Sequence, residues 1–481
     1  YYRETEGELA FASELRALPR GEIDLDALEA FLAFNSIPAP LTIFREVRKL
    51  PPGHVLTWED GRLELTRYAR PAPVPADEAR RDDEAELVEE LRARLRDSVR
   101  AHLVSDVPVG VLLSGGIDSS SLAALAAQES PEPVRTFSIG FEERSFDELA
   151  DARLVAARYG TRHEELVLRP DAALLLPALA DAFDEPFADS SALPTYLVSQ
   201  LAAGDVKVAL SGEGGDELFG GYYTYTADLL ALRAGGLARF ARPIVERLPS
   251  SSGRASFDYK AKRFVRGAHL PPLERHHAWK EIFSAEARAG LTGRRSEFDP
   301  VDLLRTRFRE TEGAGLLARL QDVDLGHYLV DDLLVKTDRA SMAHSLEARV
   351  PFLDPVVTNF ALALPSRHKV RGLRKKVLLR KAVAPLVPAP LLRRRKRGFS
   401  IPAAAWLRGE LEPFARDVLS ERALRRQGFF EPAVVARLLD DHVSGKEDLS
   451  RQLWGLLAFT LWHERHVESA PRETSVAQAL V

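Results

Sequence analysis

The sequence contains no cysteine, and this absence excludes several kinds of chemistry together. Its 481 residues include 30 glycines and 30 prolines but a single methionine, Met342. Without cysteine the chain has no disulfide, no zinc ribbon and no thiol nucleophile. A protein of this composition suits a reducing compartment, so we expect a cytoplasmic location.

Long apolar runs and an excess of basic charge are also missing. No run approaches the roughly 18 apolar residues that a membrane span requires, and no signal peptide is visible. The formal net charge is −5, so there is no overall basic field for nucleic acid. A local basic run from Arg393 to Arg397 is expected to be a solvated loop. We expect neither a membrane nor a nucleic-acid partner.

Three regions can be separated along the chain. Residues 1–70 predict a helix over 24–34, capped by Asp24, and a hairpin over 53–65 that turns at Glu59-Asp60-Gly61. Residues 71–83 are rich in proline and then in charge, which indicates a linker. Residues 84–481 begin with an amphipathic helix in which leucine or valine recurs every four residues.

Strands and helices alternate from Val109 onward. The apolar segments 109–113, 134–141 and 206–210 each precede a helix or a glycine-rich turn, and the sequence after residue 224 is mostly helical in pattern. Such alternation is typical of a parallel sheet with helices on both faces. We therefore predict an α/β fold with a mostly helical C-terminal part.

Two glycines separate the first of these strands from its helix, in the sequence VGVLLSGGIDSSSLAALAA (109–127). Gly115 and Gly116 allow a tight turn with free backbone N–H groups, and we expect Ser114 to cap the helix, so the turn suits an anion. Asp118 beside an anion is unfavourable unless a cation lies between them, which indicates Mg²⁺ on a polyphosphate. The turn is neither a Walker A loop nor Gly-x-Gly-x-x-Gly. Two glycines alone are explained more simply by a structural turn. The complete pattern Ser-Gly-Gly-x-Asp-Ser favours a nucleotide-binding loop.

Six segments carry a resemblance to a known family. SGGIDSS (114–120) resembles the signature of the PP-loop ATP pyrophosphatases, and LSGEGGDELFGGY (210–222) resembles the second signature of the glutamine-dependent asparagine synthetases. The beginning, YYRETEGELAFASELRAL (1–18), is similar to the last part of that family's glutaminase domain. The resemblance covers essentially the whole chain. It implies an ATP pyrophosphatase fold, adenine nucleotide α-hydrolase-like, over 84–481, preceded by a partial glutaminase (Ntn-type α+β) remnant over 1–70. The other similar segments, in the family's order, are LLVKTDRASMAHSLEARVPFLD (333–354), RKKVLLRKA (374–382) and KRGFSIP (396–402).

The resemblance gives roles to residues that the pattern alone leaves open. Because Asp216 follows the strand 206–210, it can meet Asp118 at neighbouring strand ends, and the family implies that the two hold Mg²⁺; alone, Asp216 could simply cap a helix. Glu213 is implied as the acid/base group that takes a proton when ammonia attacks. Lys376 is implied near the α-phosphate, in a stretch otherwise expected to be a solvated helix face; its neighbour Lys375 stands where many relatives carry an acidic residue. The residues implied in ATP binding are Leu112, Ser114, Gly115, Gly116, Asp118, Ser119, Ile139, Ser211 and Gly212.

The segment 184–202 resembles the family's stretch between the two phosphate loops. Its polar residues are candidates for the ammonium group of an amino-acid substrate, and Arg349 is a candidate for its carboxylate, although capping and salt-bridge roles are equally open. The pair His276-His277 has no partner at metal-ligand spacing and is expected at the surface. The candidates for the ammonium group are Asp184, Glu185, Asp189 and Ser190.

The resemblance implies an ATP-dependent carbon–nitrogen ligase. The expected reaction converts L-aspartate to L-asparagine through β-aspartyl-AMP, with nitrogen from glutamine or ammonia and with AMP and pyrophosphate as products. The family's glutaminase nucleophile is an N-terminal cysteine, and this sequence begins at Tyr1 without one. We therefore expect a piece of a longer protein, which by itself uses ammonia. Two alternatives stay open: a relative that amidates or cyclises another carboxylate (β-lactam, peptide or polysaccharide), and a nucleotide-binding scaffold without turnover. A homodimer is one option for assembly.

Overall fold

The strands of the protein form a central sheet and smaller peripheral ones. The computed structural model describes residues 1–169, 175–245, 247, 257–394 and 398–468. Within these residues the strands are β1 (Tyr2–Thr5), β2 (Glu8–Phe11), β3 (Val47–Arg48), β4 (His54–Glu59), β5 (Arg62–Arg67), β6 (Val109–Leu112), β7 (Arg135–Phe141), β8 (Arg162–Leu168), β9 (Val208–Leu210), β10 (Glu347–Arg349), β11 (Val370–Arg371) and β12 (Arg374–Lys375).

The central sheet has five parallel strands in the order β10-β9-β6-β7-β8. The chain runs outward from β6 through β7 to β8 and then crosses back to β9 on the other side of β6. Because the strand order reverses there, a crevice opens at the carboxyl ends of β6 and β9, which is where ligands bind in open parallel sheets. The predicted α/β fold is confirmed.

Helices cover both faces of this sheet and form most of the chain after residue 222. Within the described residues they are α1 (Leu25–Phe34), α2 (Glu84–His102), α3 (Ile117–Glu129), α4 (Leu149–Tyr159), α5 (Leu176–Ala182), α6 (Ala192–Ala203), α7 (Gly215–Phe219), α8 (Tyr223–Val245), α9 (Phe257–Gly267), α10 (Pro272–Ala278), α11 (Ala285–Thr292), α12 (Asp302–Glu310), α13 (Leu316–Gly326), α14 (Val335–Met342), α15 (Pro355–Leu362), α16 (Ser366–Lys369), α17 (Val377–Val383), α18 (Ala389–Arg393), α19 (Ala403–Arg408), α20 (Glu412–Val418), α21 (Glu421–Gln427), α22 (Pro432–Val443) and α23 (Ser450–His463).

The two faces of the sheet contribute to two apolar cores. On β9, Leu210 packs into a core with α2, α3 and α17, whereas its neighbour Ala209 packs into the other core with α6 and the C-terminal helices. This alternation follows from the two-residue period of a strand. Because both faces are covered, the strands can be continuously apolar, as the sequences of β6 and β9 are.

Most local predictions agree with the structure. Asp24 caps α1 by accepting from the N–H groups of Asp26 and Ala27, and β4 pairs with β5 around Asp60 and Gly61, whose φ values are 49° and 73°. The leucines and valine of the amphipathic repeat are buried on α2 from Leu87 to Val99. Within the described residues, none of the helices combines the length and the apolar character that crossing a membrane requires.

Two local predictions are wrong. The N-cap of α3 is Gly116, in an extended conformation and without a side-chain cap, and Ser114 instead lies with its Oγ 3.0 Å from Ser119 Oγ. His276 and His277 are buried, not at the surface. His276 lies between Asp228 Oδ2, 2.6 Å from Nδ1, and Asp324 Oδ1, 3.1 Å from Nε2. Burial opposes charge on the ring, but the two aspartates raise the pKa of His276 above its ordinary value.

The predicted linker runs along the C-terminal region. Arg70 Nη2 lies 2.8 Å from Asp322 Oδ2, and the N–H of Ala76 donates to the carbonyl of Gly313 at 3.0 Å. Within the predicted basic loop, Arg393 ends α18 and Arg394 pairs with Asp151, while residues 395–397 lie outside the described residues.

Candidate active site

The first loop of the site joins β6 to α3. Gly115 has φ of 70°, and a Cβ at this position would lie 2.6 Å from Asp151 Cβ, so both the backbone and the space require glycine. The backbone N–H of Ser114 donates to Ser119 Oγ at 3.1 Å, which fixes the turn against the first turn of α3. The loop therefore presents hydroxyls and the N-terminus of α3 to the crevice.

The second loop joins β9 to α7 and packs directly on the first. A Cβ on Gly212 would lie 3.2 Å from both Asp118 Cβ and the nitrogen of Ser119, and one on Gly215 would lie 2.9 Å from Asp118 Oδ1. These glycines leave room for the first turn of α3. Because β6 and β9 are paired in parallel, their following loops meet at one edge of the sheet.

The carboxylates of the two loops converge on one ammonium group. Lys376 Nζ lies 2.5 Å from Asp118 Oδ2 and 2.6 Å from Asp216 Oδ1. Burial lowers the pKa of Lys376 from its ordinary value, and the charge of Asp118 opposes this effect. A Cβ on Gly221 would lie 1.7 Å from Asp216 Oδ1 and 2.4 Å from Lys376 Cε, so glycine is required beside this cluster.

The aspartate pair fits a magnesium ion. Asp118 Oδ1 is buried and has no hydrogen-bond partner, so this oxygen is available to a cation. Within the parts of the chain that the structure describes, no three histidine, cysteine, aspartate or glutamate side chains cluster as metal ligands. Mg²⁺ in nucleotide sites commonly takes one or two carboxylates and completes its shell with phosphate oxygens and water. Two carboxylates beside an anion-binding turn match that pattern.

Glu213 is positioned from α14. Thr337 Oγ1 donates to Glu213 Oε1 at 3.4 Å, and Lys336 Nζ lies 3.9 Å from the same oxygen. Lys336 is itself buried and donates to Ser191 Oγ at 3.0 Å and to Asp189 Oδ2 at 3.3 Å. Burial opposes the charge of Lys336, but Asp189 and Glu213 raise its pKa above the ordinary value. Asp189 is thus linked to Glu213 through one lysine.

A second buried acid lies on α7. Burial raises the pKa of Glu217 to about 7, and the hydroxyl of Tyr222 donates to its side chain. Gln321 Nε2 donates to the carbonyls of Glu217 and Leu218 at 2.5 and 3.1 Å, which ties α7 to α13. These contacts connect the short helix that carries Asp216 to the helical C-terminal region.

One cleft gathers all the residues predicted for ATP, metal and acid/base chemistry. It also contains residues that sequence reasoning missed, although several stand inside the motifs that carried the resemblance. The predicted residues that line it are Leu112, Ser114, Gly115, Gly116, Asp118, Ser119, Ile139, Ser211, Gly212, Glu213, Asp216 and Lys376; the missed ones include Phe137, Ser138, Glu148, Asp151, Thr195, Val198, Thr337, Lys375, Arg380 and Arg394.

The structure does not bring every predicted substrate residue to this cleft. Glu185 accepts from the N–H of Ile43 at 2.9 Å and pairs with Lys49 at 2.6 Å. Asp184 accepts from the N–H of Arg16 at 3.3 Å. These contacts tie the two carboxylates to residues 1–69.

Arg349 and Ser190 also lie outside the cleft lining. Arg349 Nη1 donates to the carbonyls of His102 and Val104 at 2.9 and 2.7 Å, beyond the end of α2. Ser190 is half-buried in the turn before α6. A substrate role for Arg349, Ser190, Asp184 or Glu185 stays a prediction. The side chain of Asp189, the remaining candidate, is linked to Glu213 of the cleft through Lys336, and its substrate role is also still a prediction.

The sheet order, the serine–glycine loop at the strand reversal and the paired aspartates define an α/β enzyme of the PP-loop ATP pyrophosphatase type. Residues 90–464 match the asparagine synthase family, and residues 1–69 match a glutamine amidotransferase domain. The chain belongs to the asparagine synthase family. The expected family and the expected class of enzyme, a carbon–nitrogen ligase of asparagine synthase type, are thereby confirmed.

Similarity to named relatives extends along nearly the whole chain. It is 34% identical over 492 residues to asparagine synthetase [glutamine-hydrolyzing] 1 of Bacillus subtilis, with 99% of this chain and 75% of that protein covered. It is 38% identical over 452 residues to a putative asparagine synthetase [glutamine-hydrolyzing] of Mycobacterium bovis, with 93% and 68% covered. A more distant relative, named amidase chyE, from Penicillium rubens, is 26% identical over 487 residues, with 90% and 70% covered. These relationships support ATP-dependent amidation as the chemistry of the family.

Proposed function

We propose that the chain converts L-aspartate to L-asparagine with ATP, through a β-aspartyl-AMP intermediate. The observation that carries this proposal is the convergence of Asp118 and Asp216, from two adjacent strand–loop–helix units, on Lys376 Nζ at 2.5 and 2.6 Å. Paired carboxylates and a lysine beside a serine–glycine turn suit a triphosphate whose terminal part leaves as pyrophosphate. The similarity to named asparagine synthetases supports aspartate as the acceptor.

In the first half-reaction the β-carboxylate of aspartate attacks the α-phosphorus of ATP. A bond forms between a carboxylate oxygen and that phosphorus, and the bond to the bridging oxygen of pyrophosphate breaks. The N–H groups and hydroxyls of the Ser114–Ser119 turn bind the leaving phosphates. Lys376 places a positive charge beside the reacting phosphate. Asp118 and Asp216 would hold Mg²⁺, which when bound neutralises charge on the leaving pyrophosphate.

In the second half-reaction ammonia attacks the acyl carbon, and AMP leaves. The nitrogen must lose a proton as the carbon–nitrogen bond forms, and the carboxylate of Glu213 takes it. Thr337 and Lys336 contact Glu213 from α14 at 3.4 and 3.9 Å and help to position it. Such a fixed base lowers the cost of ordering the reactants.

The nitrogen source follows from residues 1–69 and from the composition. Residues 1–69 match a glutamine amidotransferase domain, which supports glutamine as the nitrogen donor wherever that domain carries its nucleophile. The sequence has no cysteine to act as a glutaminase nucleophile, so the chain as given uses ammonia.

The test supplies aspartate, ATP and Mg²⁺ with either ammonium or glutamine, and measures asparagine and pyrophosphate. Ammonium is expected to drive formation of both products in equal amounts. With glutamine, asparagine is expected to stay at background and pyrophosphate release is expected not to exceed that with aspartate and ATP alone. Equal turnover with glutamine and ammonium would refute the assignment of the nitrogen source. Pyrophosphate release with other carboxylic acids but not with aspartate would refute the assignment of aspartate as the acceptor.

A second candidate is a tailoring enzyme that adenylylates another carboxylate. The similarity to the relative named amidase chyE supports this second candidate, because it extends over 90% of this chain. A screen of carboxylic acids for ATP-dependent pyrophosphate release separates the two candidates. ATP binding without release for any acid would instead indicate a scaffold. The magnesium ion, the cytoplasmic location and a homodimer remain predictions.

A further inference from the structure

Among the described residues, four basic side chains line the cleft, and two of them make no ion pair with a carboxylate. Lys376 pairs with both aspartates, and Arg394 pairs with Asp151. Lys375 Nζ instead donates to the carbonyl of Gly221 at 2.7 Å. Arg380 donates from Nε to the carbonyl of Lys375 at 3.1 Å and from Nη1 to that of Leu392 at 2.6 Å. Among the residues that the structure describes, neither Lys375 nor Arg380 makes an ion pair with a carboxylate.

Lys375 carries a charge that is costly where it lies. Its side chain is buried, and Nζ lies 3.4 Å from the centre of the Tyr223 ring. Burial, together with the charges of Lys376 and Arg380, lowers the pKa of Lys375 to about 7. An ammonium group without a counter-ion in such surroundings is unfavourable. A bound anion would supply the missing charge.

The backbone presents Lys375 and Lys376 to the same cleft. Lys375 ends β12, and successive side chains of a strand normally point to opposite faces. Lys376 breaks this alternation because it has φ of 51° and ψ of 42°, in the left-handed region that disfavours residues with a Cβ. Both side chains consequently line the cleft. Strain of this kind concentrates at functional sites.

The ion pairs of the described lining residues show which basic groups are already engaged. Lys376 pairs with both aspartates, and Arg394 pairs with Asp151. Within the described part of the chain Lys375 and Arg380 make no ion pair, although Glu148 and Glu213 also line the cleft. These two basic groups are therefore left to contact a phosphate.

We propose that Lys375 and Arg380 are phosphate-binding residues that contact the polyphosphate of the nucleotide and the released pyrophosphate. This inference rests on the proposed function and adds two named contacts to it. Inorganic pyrophosphate is the probe, because it tests the phosphate contacts without the nucleoside or the acceptor.

The experiment measures binding of inorganic pyrophosphate with Mg²⁺ by isothermal titration calorimetry. Lys375→Met keeps the apolar stem and removes the charge, and it is expected to weaken binding at least tenfold, the size typical of a charge-assisted hydrogen bond. Lys375→Arg is expected to retain most of the affinity. Lys381→Met is the matched control, since Lys381 lies on α17 but is half-exposed and pairs with Glu84.

Thermal unfolding separates a binding role from a structural one. Because Lys375→Met removes an unpaired buried charge, its melting temperature is expected to equal or exceed that of the unsubstituted chain. Arg380→Gln provides a second, independent test and is also expected to weaken pyrophosphate binding at least tenfold.

Unchanged pyrophosphate affinity in both variants would overturn the inference, while pyrophosphate release in the aspartate assay would still uphold the proposed function. If the unsubstituted chain neither bound nor released pyrophosphate, both would fail. Loss of affinity together with a retained melting temperature supports the inference.

Discussion

At the scale of single residues, the proposed mechanism assigns different steps to two acids. Asp118 belongs to the aspartate pair that contacts Lys376, whereas Glu213 accepts from Thr337 and makes no hydrogen bond or ion pair with Asp118 or Lys376 among the described residues. Substitution of each should therefore affect a different half-reaction.

Asp118→Asn is expected to lower pyrophosphate release at least 100-fold, because one of the two carboxylates proposed to hold Mg²⁺ at the phosphate site is lost. Glu213→Gln is expected to lower asparagine formation more than pyrophosphate release, because the amide keeps the contact with Thr337 but cannot accept a proton. Both products are measured in the same ammonium-driven assay. Asp97→Asn and Glu89→Gln, at exposed positions of α2, are the matched controls. Full asparagine output by Glu213→Gln would show that the acid/base assignment is wrong.

Residue-level prediction succeeded where the requirement is local. The tight turn at Gly115, with φ of 70°, follows from a strand, two glycines and a helix in sequence. Lys336 and Thr337 were not identified, because their contacts with Glu213 join residues more than a hundred positions apart. His276 was misplaced for the same reason, since its aspartate partners lie on two other helices.

At the scale of elements, the position of α7 is fixed by a hydrogen-bond network that includes a buried lysine. This helix has only five residues, Gly215–Phe219, and its carbonyls accept from Gln321 on α13. Lys369 Nζ donates to Gln321 Oε1 at 3.0 Å, and its side chain is 1% exposed. Burial lowers the pKa of Lys369 to about 7 from its ordinary value of 10.5.

This lysine makes stability depend on pH. Between about pH 7 and 10.5 the unfolded chain binds a proton at Lys369 that the folded chain does not. The unfolding free energy therefore rises with pH in this window. The destabilisation by Lys369 is largest below about pH 7 and disappears above about pH 10.5. Lys369→Met is expected to reduce the rise of unfolding free energy with pH by about 1.4 kcal/mol per unit within this window. Urea unfolding at pH 7, 8 and 9 measures the slope. Lys446→Met, at an exposed position, should leave it unchanged, and equal slopes for Lys369→Met and the parent would contradict the buried-amine assignment.

Elements themselves were predicted well from periodicity and caps. Helices α1 and α2, the β4–β5 hairpin and strands β6, β7 and β9 depend on signals within a few residues of each other. The cap of α3 was wrong because Ser114 is engaged with Ser119 and leaves the N-cap position to Gly116. The order of the strands in the sheet could not be predicted from the sequence. The alternation of strands and helices does not show on which side of β6 the chain returns to form β9.

At the scale of the whole molecule, residues 1–69 share a core with the C-terminal helices. Phe31 is fully buried, and its ring centre lies 6.0 Å from that of Phe459 on α23. The N–H of Ile282 donates to the carbonyl of Ala33 at 3.0 Å, and Lys49 pairs with Glu185 at 2.6 Å. The segment that matches an amidotransferase domain is thus part of the same packed body.

Phe31→Ala is expected to cost about 3–5 kcal/mol of unfolding free energy, the usual effect of truncating a buried phenylalanine. Because the core is shared, far-UV circular dichroism and pyrophosphate release should be lost at the same, lower urea concentration. Phe11→Ala is the control, since Phe11 is 77% exposed. Loss of circular dichroism in two steps, with pyrophosphate release unaffected by the first, would show that residues 1–69 unfold separately.

The parallel pairing of β6 with β9 limits which changes of length the two turns after these strands can accept. Val111 lies opposite Leu210, and each strand leads through a short turn to its own aspartate. The meeting point of the two acids is therefore set by a ladder of main-chain hydrogen bonds and by the lengths of two turns. One inserted residue in either turn would carry its acid away from Lys376. Exchange of one side chain leaves this spacing in place, whereas an insertion or a deletion changes it.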